Sequence, residues 1–210
     1  MSLILTSTSP RRRELLALLG LPFSIKSPSF EERLVADCPA IEQVQSFARG
    51  KAQSVARQEP EAVVLGSDTV IELDHDALGK PADQVEARAM LRRLAARDHY
   101  VHTAVAIVSF VRAIDVVALS TATVRMKPFD ERLHERYLTT GESFGKAGAY
   151  SIQGEGGDLV DSVVGDFPTV VGLPLRLVAQ LLTKAGVRVP IDLNELYVAK
   201  PYANWARFPG

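Results

Sequence analysis

The sequence predicts an α/β fold with a mixed β-sheet flanked by helices. Three observations point there. Strand-like and helix-like segments alternate along the 210 residues. The run from Ala62 to Ser67, AVVLGS, is apolar almost throughout, as suits a strand buried on both faces. Residues 99–111 and 114–124 are rich in valine and isoleucine and are separated only by a turn around Arg112 and Ala113. They make a long antiparallel pair, which a purely parallel doubly wound fold would not need.

The elements follow in order. Residues 2–6 form a first short strand, and TSTSPRRRELLALLG, residues 6–20, begins a helix near residue 9. Ser9 offers an oxygen to cap a free backbone N–H, and Pro10 has no N–H to leave unsatisfied at the first helical position. Leu15, Leu16, Leu18 and Leu19 supply the apolar face. Arg11, Arg12 and Arg13 fill the first turn, where the helix dipole is already positive and acidic side chains are normally favoured. A strand at 22–27 and a helix at 39–57 come next, then strands at 62–67 and 69–73. LDHDALGKP reads as a hairpin turn, with His75 in an exposed polar turn rather than a metal site. Helices at 82–96, 130–140 and 174–185 start near Pro81, Pro128 and Pro174. From Arg188 the composition changes, and NELYVAKPYANWARFPG reads as a surface extension or subunit contact. The chain therefore divides into a domain over 1–187 and a C-terminal extension over 188–210.

Composition narrows the function. With 24 basic and 25 acidic residues the net charge is -1, so no overall field draws the chain to nucleic acid or to a membrane surface, and any anion must be bound locally. The single cysteine, Cys38, has no internal partner and reads as an ordinary thiol. Leu3 to Leu5 is too short an apolar run for a signal peptide, which makes the cytoplasm the expected compartment.

Polar residues gather in three places. Asp68, in GSDTV, directly follows the buried AVVLGS run, and strand ends line the binding crevice of open α/β sheets, although an aspartate there also serves as a turn cap. Lys80, beside Gly79, is close enough in sequence to Asp68 to meet a phosphate in the same cleft, whereas Lys51, late in a helix, says little alone. Residues 145–174 are glycine-rich, so backbone N–H groups can approach a ligand, and Gln153 offers both donor and acceptor to a base edge. This stretch matches neither GxxxxGK[ST] nor GxGxxG.

STSPRRRELL, GSDTVI, LGKP, HTAVAI, KAGAYSIQG and VVGLPL, in this order and spacing, resemble the Maf family of nucleoside triphosphate pyrophosphatases from Leu3 to about Leu182. The resemblance implies an elongated mixed β-sheet flanked by helices, with two lobes around a nucleotide cleft, a homodimer, and hydrolysis of a nucleoside triphosphate to monophosphate and pyrophosphate with Mg²⁺ or Mn²⁺. It also explains the arginines, since free N–H groups and a positive dipole make an anion site that a triphosphate would neutralise. Arg11 and Arg12 match the family's paired arginines, Arg13 a variable and solvated slot, and Lys51 and Lys80 its phosphate-contacting lysines. Ser7 and Ser9 add hydroxyls. Asp68 matches the proposed proton acceptor, activating or orienting water, and Glu32 in SFEERL is the candidate to share a metal with it. Arg11, Thr69 and Gln153 match the members that prefer dTTP and UTP over 7-methyl-GTP. Gly145, Ser151 and Phe167-Pro168 depart from the family pattern, which bears on loop shape. A non-hydrolytic nucleotide-binding regulator of septum formation is the alternative reading.

Overall fold

A computed structural model gives the fold, with residues 2–35 and 38–208 described. Residues 209 and 210 of the tail lie outside that range. Seven strands form one sheet: β1 (Leu3–Thr6), β2 (Ser24–Ile25), β3 (Val63–Leu73), β4 (Asp76–Leu78), β5 (Asp98–Ser109), β6 (Ile114–Met126) and β7 (Val160–Val164). Their order is β2-β1-β3-β5-β6-β7, with β4 hydrogen-bonded to β3. β1 runs parallel to β2 and β3, and the other pairs are antiparallel, so the sheet is mixed. The long hairpin is β5–β6, closed from Ser109 to Ile114 with Ala113 in the left-handed region at φ 52°.

The helices are α1 (Pro10–Ala17), α2 (Ala40–Ala56), α3 (Gln84–Leu94), α4 (Glu131–Thr139), α5 (Phe167–Val171), α6 (Leu175–Lys184) and α7 (Leu193–Ala199). Alternation along β3 divides the core. Val64 and Val70 join Val44, Ala48, Ala52 and Val55 of α2 on one face. Val63, Leu65 and Ile71 join residues of α1, α3 and α6 on the other. Small alanines on α2 bring it close to the sheet. A Cβ on Gly66 would stand 2.4 Å from the carbonyl oxygen of Ala48, so only glycine permits the approach observed.

Several boundaries differ from the sequence reading, for physical reasons. The strands expected at 62–67 and 69–73 are one strand, and Asp68 lies inside it. Its parallel partner β1 stops at Thr6, opposite Gly66, and β4 joins only at Ile71. Between those points β3 pairs with β5 alone, which opens a gap in the sheet at Asp68. Helix α1 ends at Ala17, followed by a turn to Gly20 at φ 67°. Ser9 is its N-cap residue but makes no side-chain cap; the Ser7 hydroxyl instead accepts from the Ser9 N–H at 3.1 Å. Phe167-Pro168 starts α5, with proline in the first helical turn where its missing N–H costs nothing. The tail is not confined to the surface: Trp205 and Phe208 are buried in the main core. Aromatic residues in an otherwise polar tail act here as anchors.

Candidate active site

The gap beside Asp68 opens into a cleft of about 470 Å³. Ser7, Ser9, Arg11, Arg12, Glu32, Lys51, Asp68, Thr69, Lys80 and Gln153 all line it, so the candidate site residues read from the sequence meet in one place. Among its lining residues five cations, Arg11, Arg12, Lys51, Lys80 and Lys146, face three acids, Glu32, Asp68 and Glu142. The local excess is positive although the whole chain carries -1.

At one end stands an ion cluster built on the buried Lys51 and Asp68, with the more exposed Glu32 and Lys80 beside them. Lys51, brought down onto β3 by the close α2 packing at Gly66, places Nζ 2.6 Å from Asp68 Oδ1 and 2.5 Å from Glu32 Oε1. Lys80 Nζ donates to the other Glu32 oxygen at 2.8 Å. Glu32's partial burial alone would push its carboxyl up, but the hydrogen bonds and charges of Lys51 and Lys80 outweigh that and hold it at about 2. Among the described residues none donates to Asp68 Oδ2, which leaves acceptor capacity toward the cleft.

The arginines are fixed by distant partners. Arg12 donates from Nε to the Gly172 carbonyl at 2.8 Å and from Nη2 to Thr69 Oγ1 at 3.0 Å, and lies 3.9 Å from Asp68 Oδ1. Thr69 in turn shares a hydrogen bond with Thr103 Oγ1 at 2.9 Å. Arg11 donates to Ser151 Oγ at 2.9 Å. Burial pulls the pKa of both guanidinium groups down; Asp68 and Glu32 oppose that for Arg12, while for Arg11 the charge of Arg12 adds to it. An anion between them would relieve both. Arg13 is exposed and, among the described residues, has no such partner.

Two features were not read from the sequence. Lys51 is buried, although a lysine late in a helix is usually solvated. Lys146 lines the same cleft, its pKa lowered by burial and then by Arg11, with Glu142 opposing. Its signal was available, since Lys146 follows Gly145 just as Lys80 follows Gly79.

The two carboxylates on one ammonium also bear on a metal. Asp68 and Glu32 already converge on a single cationic point, and carboxylate oxygens are hard donors. Among the described residues no group of three or more His, Cys, Asp or Glu side chains gathers that could hold a metal by itself. The donor set therefore suits an ion that keeps water and phosphate oxygens among its ligands, as Mg²⁺ does, rather than a protein-only cage.

The family model described as Maf-like protein matches residues 2–185. The chain belongs to the Maf family. Among curated relatives, the dTTP/UTP pyrophosphatase of Symbiobacterium thermophilum is 46% identical over 185 residues, 88% of this Maf chain and 94% of the relative. That of Pelotomaculum thermopropionicum is 42% identical over 187 residues, covering 89% and 98%. Among solved structures, the Staphylococcus aureus Ham1 protein is similar at 12% identity and a TM-score of 0.44, over 60% of this Maf chain and 72% of that one. No described helix is long and apolar enough to cross a membrane.

Proposed function

We propose that this Maf protein hydrolyses dTTP and UTP, and 5-substituted relatives, to the nucleoside monophosphate and pyrophosphate with Mg²⁺ or Mn²⁺. The observation that carries the reading is the single cleft that sets five cations and two paired carboxylates at hand for a triphosphate, with the Gln153 amide on the same wall. The names of relatives at 46% and 42% identity support the substrate.

In this reading Ser7, Ser9, Arg11, Arg12, Lys51 and Lys80 bind the phosphates, and their positive charge stabilises the charge that develops as the α–β anhydride bond breaks. Asp68 orients the attacking water or takes its proton through the oxygen not held by Lys51. Water's oxygen bonds to phosphorus, pyrophosphate leaves, and the water proton passes to Asp68 or to solvent. Glu32 and Asp68 would hold the divalent cation, which supplies further charge neutralisation at phosphoryl oxygens when bound. Gln153 offers a donor and an acceptor to the carbonyl, N3–H and carbonyl edge of uracil or thymine, which cytosine's exocyclic amine partly reverses. Arg11 repels the cationic ring of 7-methyl-guanine. The resemblance supports a homodimer and a nucleotide substrate supports the cytoplasm; sedimentation of the purified protein checks the dimer.

Competition kinetics test the substrate. The expected result is a higher kcat/KM for dTTP or UTP than for CTP and 7-methyl-GTP, with Gln153→Glu shifting the ratio toward the purine. A preference for 7-methyl-GTP in the unaltered protein would contradict the assignment.

A further inference from the structure

The family match ends at residue 185, yet the residues beyond it bond to the loop that lines the cleft. Asn204 donates from Nδ2 to the carbonyl of Ile152 at 2.9 Å and to that of Gly154 at 3.2 Å. These are the carbonyls of the two residues that flank Gln153. Asn204 itself adopts φ 65°, a left-handed conformation that asparagine tolerates better than most residues. A Cβ on Gly157 would stand 2.5 Å from its Nδ2, so the loop is shaped to admit this one side chain. Next to it, Trp205 is buried at 2% exposure and stacks on Phe167, the first residue of α5, with ring centroids 5.9 Å apart and planes 13° from parallel. Tyr202 donates to Glu14 at 2.8 Å, one turn after Arg11 on α1.

A second route leads from the same segment toward the catalytic end. Tyr197 of α7 donates to Asp166 Oδ1 at 2.8 Å, and Thr169 donates to Asp166 Oδ2 at 3.0 Å. The Thr169 carbonyl accepts from Thr103 at 2.7 Å, and Thr103 shares a hydrogen bond with Thr69, on which Arg12 rests.

We infer that the segment beyond residue 185 is a built-in brace for the base-reading wall, in which Asn204 is a specificity-positioning residue that holds the Gln153 peptide in register while Trp205 anchors the brace. The segment touches Gln153's neighbours and is linked through Asp166, Thr169 and Thr103 to Thr69, which supports Arg12, and among the described residues none of its hydrogen bonds goes to Asp68 or Glu32. Its loss therefore bears on which base is accepted and how tightly more than on the speed of bond breaking. This rests on the pyrimidine reading above for its kinetic consequence only.

The test uses Asn204→Gly, which deletes the two hydrogen bonds to the loop, and with them the one Asn204 accepts from Arg207 at 3.4 Å, while keeping the left-handed backbone unstrained and Trp205 in place. Two readouts separate the brace from the substrate reading. Hydrogen exchange of the ligand-free, full-length protein should show faster exchange confined to residues 151–157 in the variant. In steady-state kinetics KM for dTTP and UTP should rise by about 10-fold, with kcat changed less than about threefold, and discrimination against CTP should fall. Asn204→Gly combined with Gln153→Ala should be no worse than Gln153→Ala alone, because the brace acts through Gln153. Unchanged exchange in 151–157, or a double variant whose losses simply add, overturns the proposal. Absence of pyrimidine turnover in the unaltered protein, with exchange still loosened by Asn204→Gly, supports the brace and contradicts the substrate reading instead.

Discussion

Lys51 is the residue on which the site turns. Burying the Lys51 ammonium against the Asp68 carboxylate is a poor way to gain stability, because the desolvation cost offsets most of the attraction. Its position 2.6 Å from Asp68 and 2.5 Å from Glu32 instead sets a positive charge at the cleft for a triphosphate to meet. Asp68→Asn keeps the shape and removes the charge, so kcat should fall by roughly 10²-fold or more with the fold intact. Pyrophosphate release by a variant of unchanged Tm measures this, and near-normal turnover would remove Asp68 from the chemistry. The arginine row separates in the same way. Arg12→Ala should lower kcat/KM by at least about 10-fold, through loss of a desolvated, charge-assisted contact, whereas the exposed Arg13→Ala should leave it within about twofold. Equal losses at both positions would mean that the helix start acts only as a diffuse positive field. Asp68, Arg12 and Lys80 were legible in the sequence because each sits beside a local signal: a buried strand, a helix start with the wrong charge, a glycine. The burial of Lys51 was not legible, because it depends on Glu32 and Asp68, which approach from 19 and 17 positions away in the chain.

Among the elements, β3 and α2 do the positioning. The sequence showed both, but it divided β3 at Asp68, since a charged residue after an apolar run normally marks a strand end. What it could not show is that β1 ends at Thr6 and β4 begins pairing only at Ile71, so that β3 runs on with an open flank and an acid can point from mid-strand into a cleft. The close contact at Gly66 is the other half of the arrangement. Gly66→Ala would place a methyl group 2.4 Å from the Ala48 carbonyl oxygen and force α2 away from the sheet. The expected cost is about 2 kcal/mol in urea unfolding, within the usual range for overpacking, together with a loss of activity as Lys51 withdraws from Asp68. A variant of unchanged stability and activity would show that the helix can shift without disturbing the site. The tail was the least legible element. Its aromatic residues stand out in composition, but the backbone carbonyls that Asn204 holds lie 52 and 50 positions earlier, and nothing local announces them.

Across the whole molecule, the buried histidines set the response to acid. Burial lowers the pKa of His99 to about 4, and lowers those of His102 and His134 against the opposing pull of Glu72 and Asp130 respectively. An unfolded histidine titrates near 6.5. Between that value and about 4 the unfolded chain binds more protons than the folded one, so stability is fully present above pH 6.5 and is lost as pH falls toward 4. His99 alone should account for about 2 kcal/mol between pH 7 and pH 5. Urea unfolding at the two pH values measures the loss, which should shrink in His99→Gln; an equal loss in both proteins would contradict the assignment. The Glu32 carboxyl, held at about 2, adds stability that is lost only lower, as pH falls from 4.5 through that value. At working pH the protein therefore keeps its cleft formed and its Glu32 carboxylate charged, ready for a triphosphate. The most direct measurement of that role is the product ratio from dTTP incubated with the purified protein and Mg²⁺, followed by ³¹P NMR. Cleavage of the α–β anhydride should yield dTMP and pyrophosphate in equal amounts, with none when Mg²⁺ is chelated; formation of dTDP and orthophosphate, or tight binding with no turnover, would contradict it.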